Sequence, residues 1–554
     1  MVKRQFSGYK VSVGLILALF LFNYVSSKLI DIIQSNQPSA YRIATGSLGK
    51  FIAYFQQNWL AYGMTLVGYL VIWVALILLV STVMLMIWGM VSKKNYLRAL
   101  KSPQLHLSVL SMVFLVIPLN QIGFKFPIAY YLTVPKTFID PIGQPIIGII
   151  LVLVNISLLL LAYRLRFVPY FAITTQHHLK NNIQHSWQQT RGQNGQFFRH
   201  IGQIIGLAIL VMGSIFLLQW LADHILQTPL KRYTANGLIA IAVGYFYFAT
   251  SRLCLLFISK NQDNEQRTNF YWPMSSVIIV IFVGFCSSWT SGKMINPPVK
   301  NYLVIAHKGV SSENDAANTM VTLGKVAETK PDYIEIDIQK TKDGVYVLSH
   351  DSSIKSKDGK HYKIDETSWH DLKKVHYEEN GRVITPTAFK SYIKRANSLQ
   401  QKLLIELKIN TTITTSELKA FQKKYGQYLT QNHAQLQSMN QNAIKRLAKY
   451  TNRPIGLLSP VVNSVNSAPF NTFYAIEYSS ANANIVQRVI KNDKKLYVWT
   501  LNSQADISSA YALGVTGYIT DYPKETRAFL KQLSHRAQYA NAVWHIVMLQ
   551  KTSS

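Results

Sequence analysis

The chain has 554 residues, of which 49% are hydrophobic and 15% charged, with a mean hydropathy of +0.10. That composition excludes an ordinary soluble protein of this size, and a formal charge of +31 makes it strongly basic. Its two cysteines, Cys254 and Cys286, lie in apolar runs, which argues against a disulfide framework or a zinc site.

Residues 1–300 hold 24 Lys or Arg against 5 Asp or Glu, a net of +19. Residues 301–554 hold 33 against 21, a net of +12, so nearly all the acids lie in the C-terminal part. Two domains are expected: an all-α transmembrane bundle over 1–297 and a globular α/β unit over 298–535. A tail, 536–554, carries no assignment. Spanning helices need roughly 20 apolar residues. Seven candidates meet that need, centred on Val11–Ser26, Tyr62–Val91, Leu105–Phe124, Ile142–Tyr163, Ile201–Leu221, Gly237–Ile258 and Met274–Trp289. Seven spans put the two ends of the bundle on opposite sides. With the N-terminus in the cytoplasm, the inner segments carry fourteen Lys or Arg and the outer loops seven, the bias that inward-facing loops show. The chain therefore reads as a multi-pass protein of the cell membrane, in contact with its lipids, with the globular unit outside the cell. No chain of intramembrane acids is present, which argues against an ion-coupled pump. Phe167 to His200, with His177, His178, His185 and His200, reads as a solvated interfacial loop because its histidines lack ligand spacing.

The globular part opens with a short apolar strand, Leu303 to Ala306, that ends on His307, Lys308 and Gly309. Asn318 and Thr319 follow, then a helical run, then a strand in which Ile334, Ile336 and Ile338 alternate with Glu335 and Asp337. Side chains alternate along a strand, so both carboxylates share one face and the isoleucines the other. Two adjacent acids repel, and a divalent cation is the usual remedy. Lys342-Asp343-Gly344 turns the chain into Val345–Leu348 and delivers His350 and Asp351.

A polar insert, Ser352 to Glu379, carries His361, His370 and His376, which read as surface histidines. Pro386 is expected to open a helix running through Leu399. Lys402–Lys408 then alternates so that Glu406 and Lys408 share a face. Further strands are expected near Gln435–Met439, Pro454–Leu458, Phe473–Tyr478, Lys495–Thr500 and Gly517–Asp521, with helices around Ala443–Tyr450, Ile485–Ile490 and Ala505–Leu513. With the strands of His307, Glu335 and Glu406, eight parallel strands alternate with helices. That pattern predicts a TIM barrel with its chemistry at the C-terminal strand ends.

At His307-Lys308-Gly309, Asn318-Thr319, Glu335-Ile336-Asp337 and His350-Asp351 the chain resembles the glycerophosphodiester phosphodiesterase family. Glu406-Leu407-Lys408, Tyr497-Val498-Trp499-Thr500-Leu501-Asn502 and Ile519-Thr520-Asp521-Tyr522-Pro523 look like the same family's later motifs. Two positions depart from its pattern. Lys308 stands where the family has arginine, keeping charge without the bidentate fork, and Ala317 replaces a glutamate.

The resemblance implies hydrolysis of glycerophosphodiesters to glycerol 3-phosphate and an alcohol. It implies a metal held by Glu335, Asp337 and Glu406, and oxygen-only ligands favour Ca²⁺ or Mg²⁺. His307 and His350 would serve as general base and acid. Lys308, Lys408 and Asn318 would face the phosphate, and Trp499 the glycerol moiety. Glu477, an acid in an apolar strand, stays outside the ligand set. Expected substrates are phospholipid head-group diesters or glycerol-phosphate polymers of a cell envelope. No nucleic-acid partner is expected, and the sequence sets no oligomeric state. The competing readings are a non-catalytic receptor or scaffold on a degenerate barrel, and a lipid transporter fused to a phosphodiesterase.

Overall fold

The computed structural model describes residues 8–35, 59–88, 103, 105–107, 145–175, 178–258, 274–290, 294–296, 299, 301–409, 413–459, 470–481, 483–535 and 538–548. These form two units. One is helical and includes the C-terminal stretch from Val543; the other runs from Ile295 to Ala542.

The helical unit contains α1 (Gly8–Ser35), α2 (Trp59–Ile87), α3 (Pro145–Arg164), α4 (Val168–Thr174), α5 (Leu179–Gln189), α6 (Asn194–Ile225), α7 (Thr228–Ile258) and α8 (Met274–Thr290). Six of the seven expected spans fall on these helices. The seventh, Leu105–Phe124, lies outside the described residues beyond its first turn. Among the described residues, four stretches are long and apolar enough to cross a membrane: Leu66–Met86, Ile156–Thr174, Asn194–Ile225 and Pro229–Phe257. Val11–Ser26 and Met274–Thr290 are apolar but shorter.

On α6, Ile209 and Leu210 are 68% and 67% exposed, as a helix bordered by lipid requires. α7 and α8 cross at two glycines. A Cβ on Gly284 would lie 2.0 Å from the Ala240 carbonyl oxygen, and one on Gly244 2.6 Å from that of Val280. Beside this crossing the Asn23 amide donates to the Tyr247 hydroxyl (2.6 Å), which lies 3.1 Å from Ser287 Oγ.

The expected loop at Phe167–His200 is instead mostly helical: it holds α4, α5 and the first turns of α6. The α5 segment buries Asn182 and Ser186 and exposes Ile183 and Trp187, an inverted amphipathy. The hydroxyl of Ser186 donates to the Arg164 carbonyl (2.7 Å) and accepts from the Phe167 amide (3.2 Å), which fastens α5 to the end of α3. Polar bonding, rather than an apolar stripe, therefore sets which face points inward. His177 lies outside the described residues, and the other three histidines of this stretch form no metal-sized group.

The second unit is a closed barrel of eight parallel strands: β1 (Leu303–Ala306), β2 (Tyr333–Lys340), β3 (Leu403–Leu407), β4 (Gln435–Ser438), β5 (Ile455–Ser459), β6 (Phe473–Glu477), β7 (Lys495–Trp499) and β8 (Gly517–Thr520). Each pairs in parallel with the next, and β8 returns to β1. Alternation sends one set of side chains inward, where Ile305, Leu404, Phe473, Tyr497 and Ile519 pack together. The other set, including Ile334, Ile336, Ile338, Leu403 and Ile405, packs outward against helices such as Phe389–Ser398 and Thr415–Asn432. The Phe473 and Tyr497 rings stack 4.5 Å apart in the interior. They fit because Gly456 and Gly517 carry no side chain: a Cβ there would lie 1.9 Å and 2.3 Å from those rings.

Tyr346–Leu348 folds back antiparallel on β2, as the Lys342-Asp343-Gly344 turn predicts. The helix expected from Pro386 begins only at Phe389. Thr387 and Ala388 stay extended to pair with Leu348 and Val347, and Thr387 Oγ1 accepts the Met320 amide at 3.2 Å. The insert forms two hairpins and one helical turn over a small core of Ile354, Ile364, Leu372 and Val375. Its three histidines are exposed.

Candidate active site

The inward parity that places Ile305, Leu404, Tyr497 and Ile519 in the barrel core carries on to the strand ends. Two residues on, it aims His307, Glu406, Trp499 and Asp521 into the C-terminal mouth, with Glu335, Asp337 and Gln437 at neighbouring positions. The register agrees: Asp337 pairs with Glu406, and Glu406 with Gln437.

Glu335, Asp337 and Glu406 are each at least 96% buried, being 4%, 1% and 4% exposed, and one carboxylate oxygen of each lies within 4.8 Å of the others. Lys408 Nζ sits 3.1 Å from both Asp337 Oδ1 and Glu406 Oε1. One lysine against three buried carboxylates leaves an excess of negative charge. Burial and the neighbouring Asp337 push Glu335 up to about 7, and burial likewise raises Glu406. Burial also opposes ionisation of Asp337, but Lys408, a hydrogen bond from Glu406 and the Asn318 amide hold it below the usual carboxylate range. An all-oxygen donor set with surplus negative charge fits a hard divalent cation.

The loop after β1 is shaped around this cluster. Lys308 takes a left-handed conformation (φ 47°) and so does Gly309 (φ 65°). The turn aims the Lys308 amide at Glu335 Oε2 (2.9 Å), while its carbonyl accepts the Asn318 amide (2.7 Å). Asn318, expected on the phosphate, spends both ends of its side chain on Asp337. Nδ2 donates to Oδ2 (2.8 Å), and Oδ1 accepts the Asp337 amide (2.9 Å).

His307 Nδ1 lies 2.8 Å from Asp521 Oδ1, and the two side chains are 19% and 21% exposed. His350 Nδ1 lies 2.8 Å from Asp351 Oδ1, with exposures of 48% and 82%. Burial, then the charge on Lys408, pulls His350 below the ordinary histidine range. Gln339 holds the His350 loop in place, donating to the carbonyls of Ser349 (3.0 Å), His350 (3.2 Å) and Asp351 (2.6 Å). Trp499 pairs across the sheet with Glu477 at the rim, and no group of metal ligands among the described residues includes Glu477.

Asn318 and the charged and aromatic residues expected at the site lie on the barrel's C-terminal loops and strand ends. The sequence had assigned no role to Gln339, Gln437, Asn502 or Asp521. Parity alone points to Gln437 and Asp521, which continue the inward faces of β4 and β8.

A closed parallel barrel with a buried carboxylate cluster and carboxylate-backed imidazoles at its C-terminal mouth defines a barrel hydrolase. Residues 307–525 match the family described as Glycerophosphoryl diester phosphodiesterase family, and residues 93–261 match that described as Membrane domain of glycerophosphoryl diester phosphodiesterase. Residues 307–525 are therefore a domain of the glycerophosphoryl diester phosphodiesterase family, preceded over 93–261 by the membrane domain of such enzymes, and the chain is a phosphoric diester hydrolase.

Among its relatives, the Bacillus subtilis (strain 168) protein YhdW is 27% identical over 242 residues, covering 40% of this chain and 94% of its own. A glycerophosphodiester phosphodiesterase of Caldanaerobacter subterraneus is 25% identical over 232 residues, covering 40% and 95%. Among solved structures, an Oleispira antarctica phosphodiesterase in complex with the product sn-glycerol-3-phosphate is 21% identical. The match covers 41% of this chain and 96% of that one, with a TM-score of 0.37.

Proposed function

We propose that this chain hydrolyses glycerophosphodiesters to glycerol 3-phosphate and an alcohol, using Mg²⁺ or Ca²⁺ held by Glu335, Asp337 and Glu406. The buried carboxylate cluster beside two carboxylate-backed histidines carries the reading. When bound, the ion would neutralise the non-bridging phosphate oxygens and make an attacking oxygen more acidic. Asn318 keeps Asp337 turned toward the cluster. Lys408, and Lys308 in place of the family's arginine, offset charge that develops on the phosphate. His307 and His350 exchange protons with the attacking and leaving oxygens, each through the ring nitrogen that its aspartate leaves free. Trp499 offers its ring to the glycerol moiety.

The proposed domain limits are 1–297 for the membrane part and 298–535 for the catalytic part, with the catalytic part outside the cell. A basic barrel in that position suits an anionic polymer of glycerol phosphate as well as a head-group diester.

The test uses the full-length chain in detergent, with glycerophosphocholine and poly(glycerol phosphate) as substrates, before and after chelation. Release of glycerol 3-phosphate that stops with chelator and returns with Mg²⁺ or Ca²⁺ is expected. Undiminished turnover after rigorous chelation overturns the ligand assignment, and inertness toward the polymer removes it as a substrate.

A further inference from the structure

The two histidines are backed by aspartates in unlike ways. Asp351 is the chain neighbour of His350 and is 82% exposed. Asp521 comes from 214 residues away and is brought to His307 by barrel closure. The β1–β8 register ends at Ala306 opposite Thr520, so the next residues, His307 and Asp521, emerge side by side on the inner face.

Asp521 is itself clamped. Asn502, in the loop after β7, accepts the Asp521 amide on Oδ1 (2.9 Å) and donates from Nδ2 to Asp521 Oδ2 (2.6 Å). Thr520 Oγ1 donates to the same Asn502 oxygen at 3.2 Å. Two donors fix which end of the Asn502 amide is oxygen, so its NH₂ must face Asp521. One oxygen of Asp521 is thereby taken by Asn502 and the other is left for the imidazole.

We propose that Asp521, clamped by Asn502, is the positioning residue for His307. It accepts the Nδ1 hydrogen and so leaves Nε2 as the atom that exchanges a proton with the substrate. This rests on the hydrolase reading above. An ionised carboxylate only accepts hydrogen bonds, so it selects the Nδ1–H tautomer and holds the ring plane. Burial opposes the charge on Asp521, yet His307, Asn502 and Lys308 keep it below the usual carboxylate range.

Asp521→Asn tests this in the full-length protein with glycerophosphocholine and Mg²⁺. In that variant the new amide oxygen pairs with the Asn502 NH₂. Its own NH₂ then faces His307 Nδ1 and favours the opposite tautomer. A kcat roughly 10²–10³-fold lower is expected, with KM within about threefold and Mg²⁺ affinity by calorimetry unchanged. A merely structural role would instead disturb KM and Mg²⁺ binding together.

Asn502→Ala loosens the clamp without touching His307, and a kcat fall of about tenfold is expected. If Asp521→Asn does not fold, this variant decides alone: a wild-type kcat overturns the proposal. So does a folded Asp521→Asn with kcat within about threefold of wild type, or a loss carried by KM and Mg²⁺ affinity. A wild type inert toward glycerophosphodiesters fails the hydrolase reading and this one together. An active wild type with an unaffected Asp521→Asn removes only this inference.

Discussion

Glu335 and Glu406 are held in an environment that disfavours their charge, and a bound cation would reverse that preference. Glu335 titrates near pH 7 in the metal-free site, so below that pH a cation must displace its proton. Affinity for Mg²⁺ is therefore expected to fall as pH drops from 8 to 6, by up to about tenfold per unit for each proton the cation displaces, Glu406, also raised by burial, adding to Glu335. Calorimetric titration of chelator-treated protein at pH 6, 7 and 8 checks this, and a flat affinity contradicts it. Glu335→Gln removes a buried charge that Asp337 repels. At pH 8 the metal-free variant should unfold a few degrees higher than wild type, since ~1 kcal/mol moves the midpoint about 2–4 °C for a domain of 150–250 residues. It should also lose the further rise that Mg²⁺ gives the wild type. A lower metal-free midpoint would mean the carboxylates were not in electrostatic conflict.

At the scale of elements, the α7–α8 crossing and the barrel staves obey different rules. The crossing depends on backbone meeting backbone at Gly244 and Gly284, the close approach that small residues allow between membrane helices. Gly284→Ala should destabilise the protein by roughly 1–3 kcal/mol, because carbonyl and amide atoms cannot rotate away as a side chain can. Gly206→Ala, where nothing lies within 4 Å, should be neutral or slightly stabilising. Thermal unfolding of both in one detergent compares them, and equal midpoints contradict the crossing.

The staves were legible in the sequence because alternation encodes which face is inward. Glu335 against Ile334 and Ile336, and Glu406 against Ile405 and Leu407, announce both the strand and its polar pole. What local pattern could not show was the partner across the closing seam. Asp521 meets His307, and Asn502 meets Asp521, through register and loop placement that no window of sequence contains. The α5 helix was illegible for another reason. Its buried face is Asn182 and Ser186, so hydrophobic periodicity pointed the wrong way. Thr387 and Ala388, similarly, are strand only because Tyr346–Leu348 offers them an edge.

For the molecule as a whole, the question is which face of the membrane the barrel occupies. The net charge of +12 over residues 301–554 does not decide this, because a folded domain crosses largely regardless of charge, whereas short loops obey the positive-inside bias. Fourteen basic residues against seven favour a cytoplasmic N-terminus, and the seven spans expected from the sequence would then place residue 295 onward on the outer side. The native cysteines sit in α7 and α8, within apolar helices that a charged reagent does not enter. A cysteine placed at the exposed Lys360 of the insert (Lys360→Cys) therefore reports the barrel's location cleanly. On intact cells, or on protoplasts where a wall obstructs access, a membrane-impermeant maleimide should label Lys360→Cys without permeabilisation. Labelling that appears only after the membrane is opened would put the barrel in the cytoplasm. Deacylated head groups inside the cell would then replace envelope polymers as its substrates.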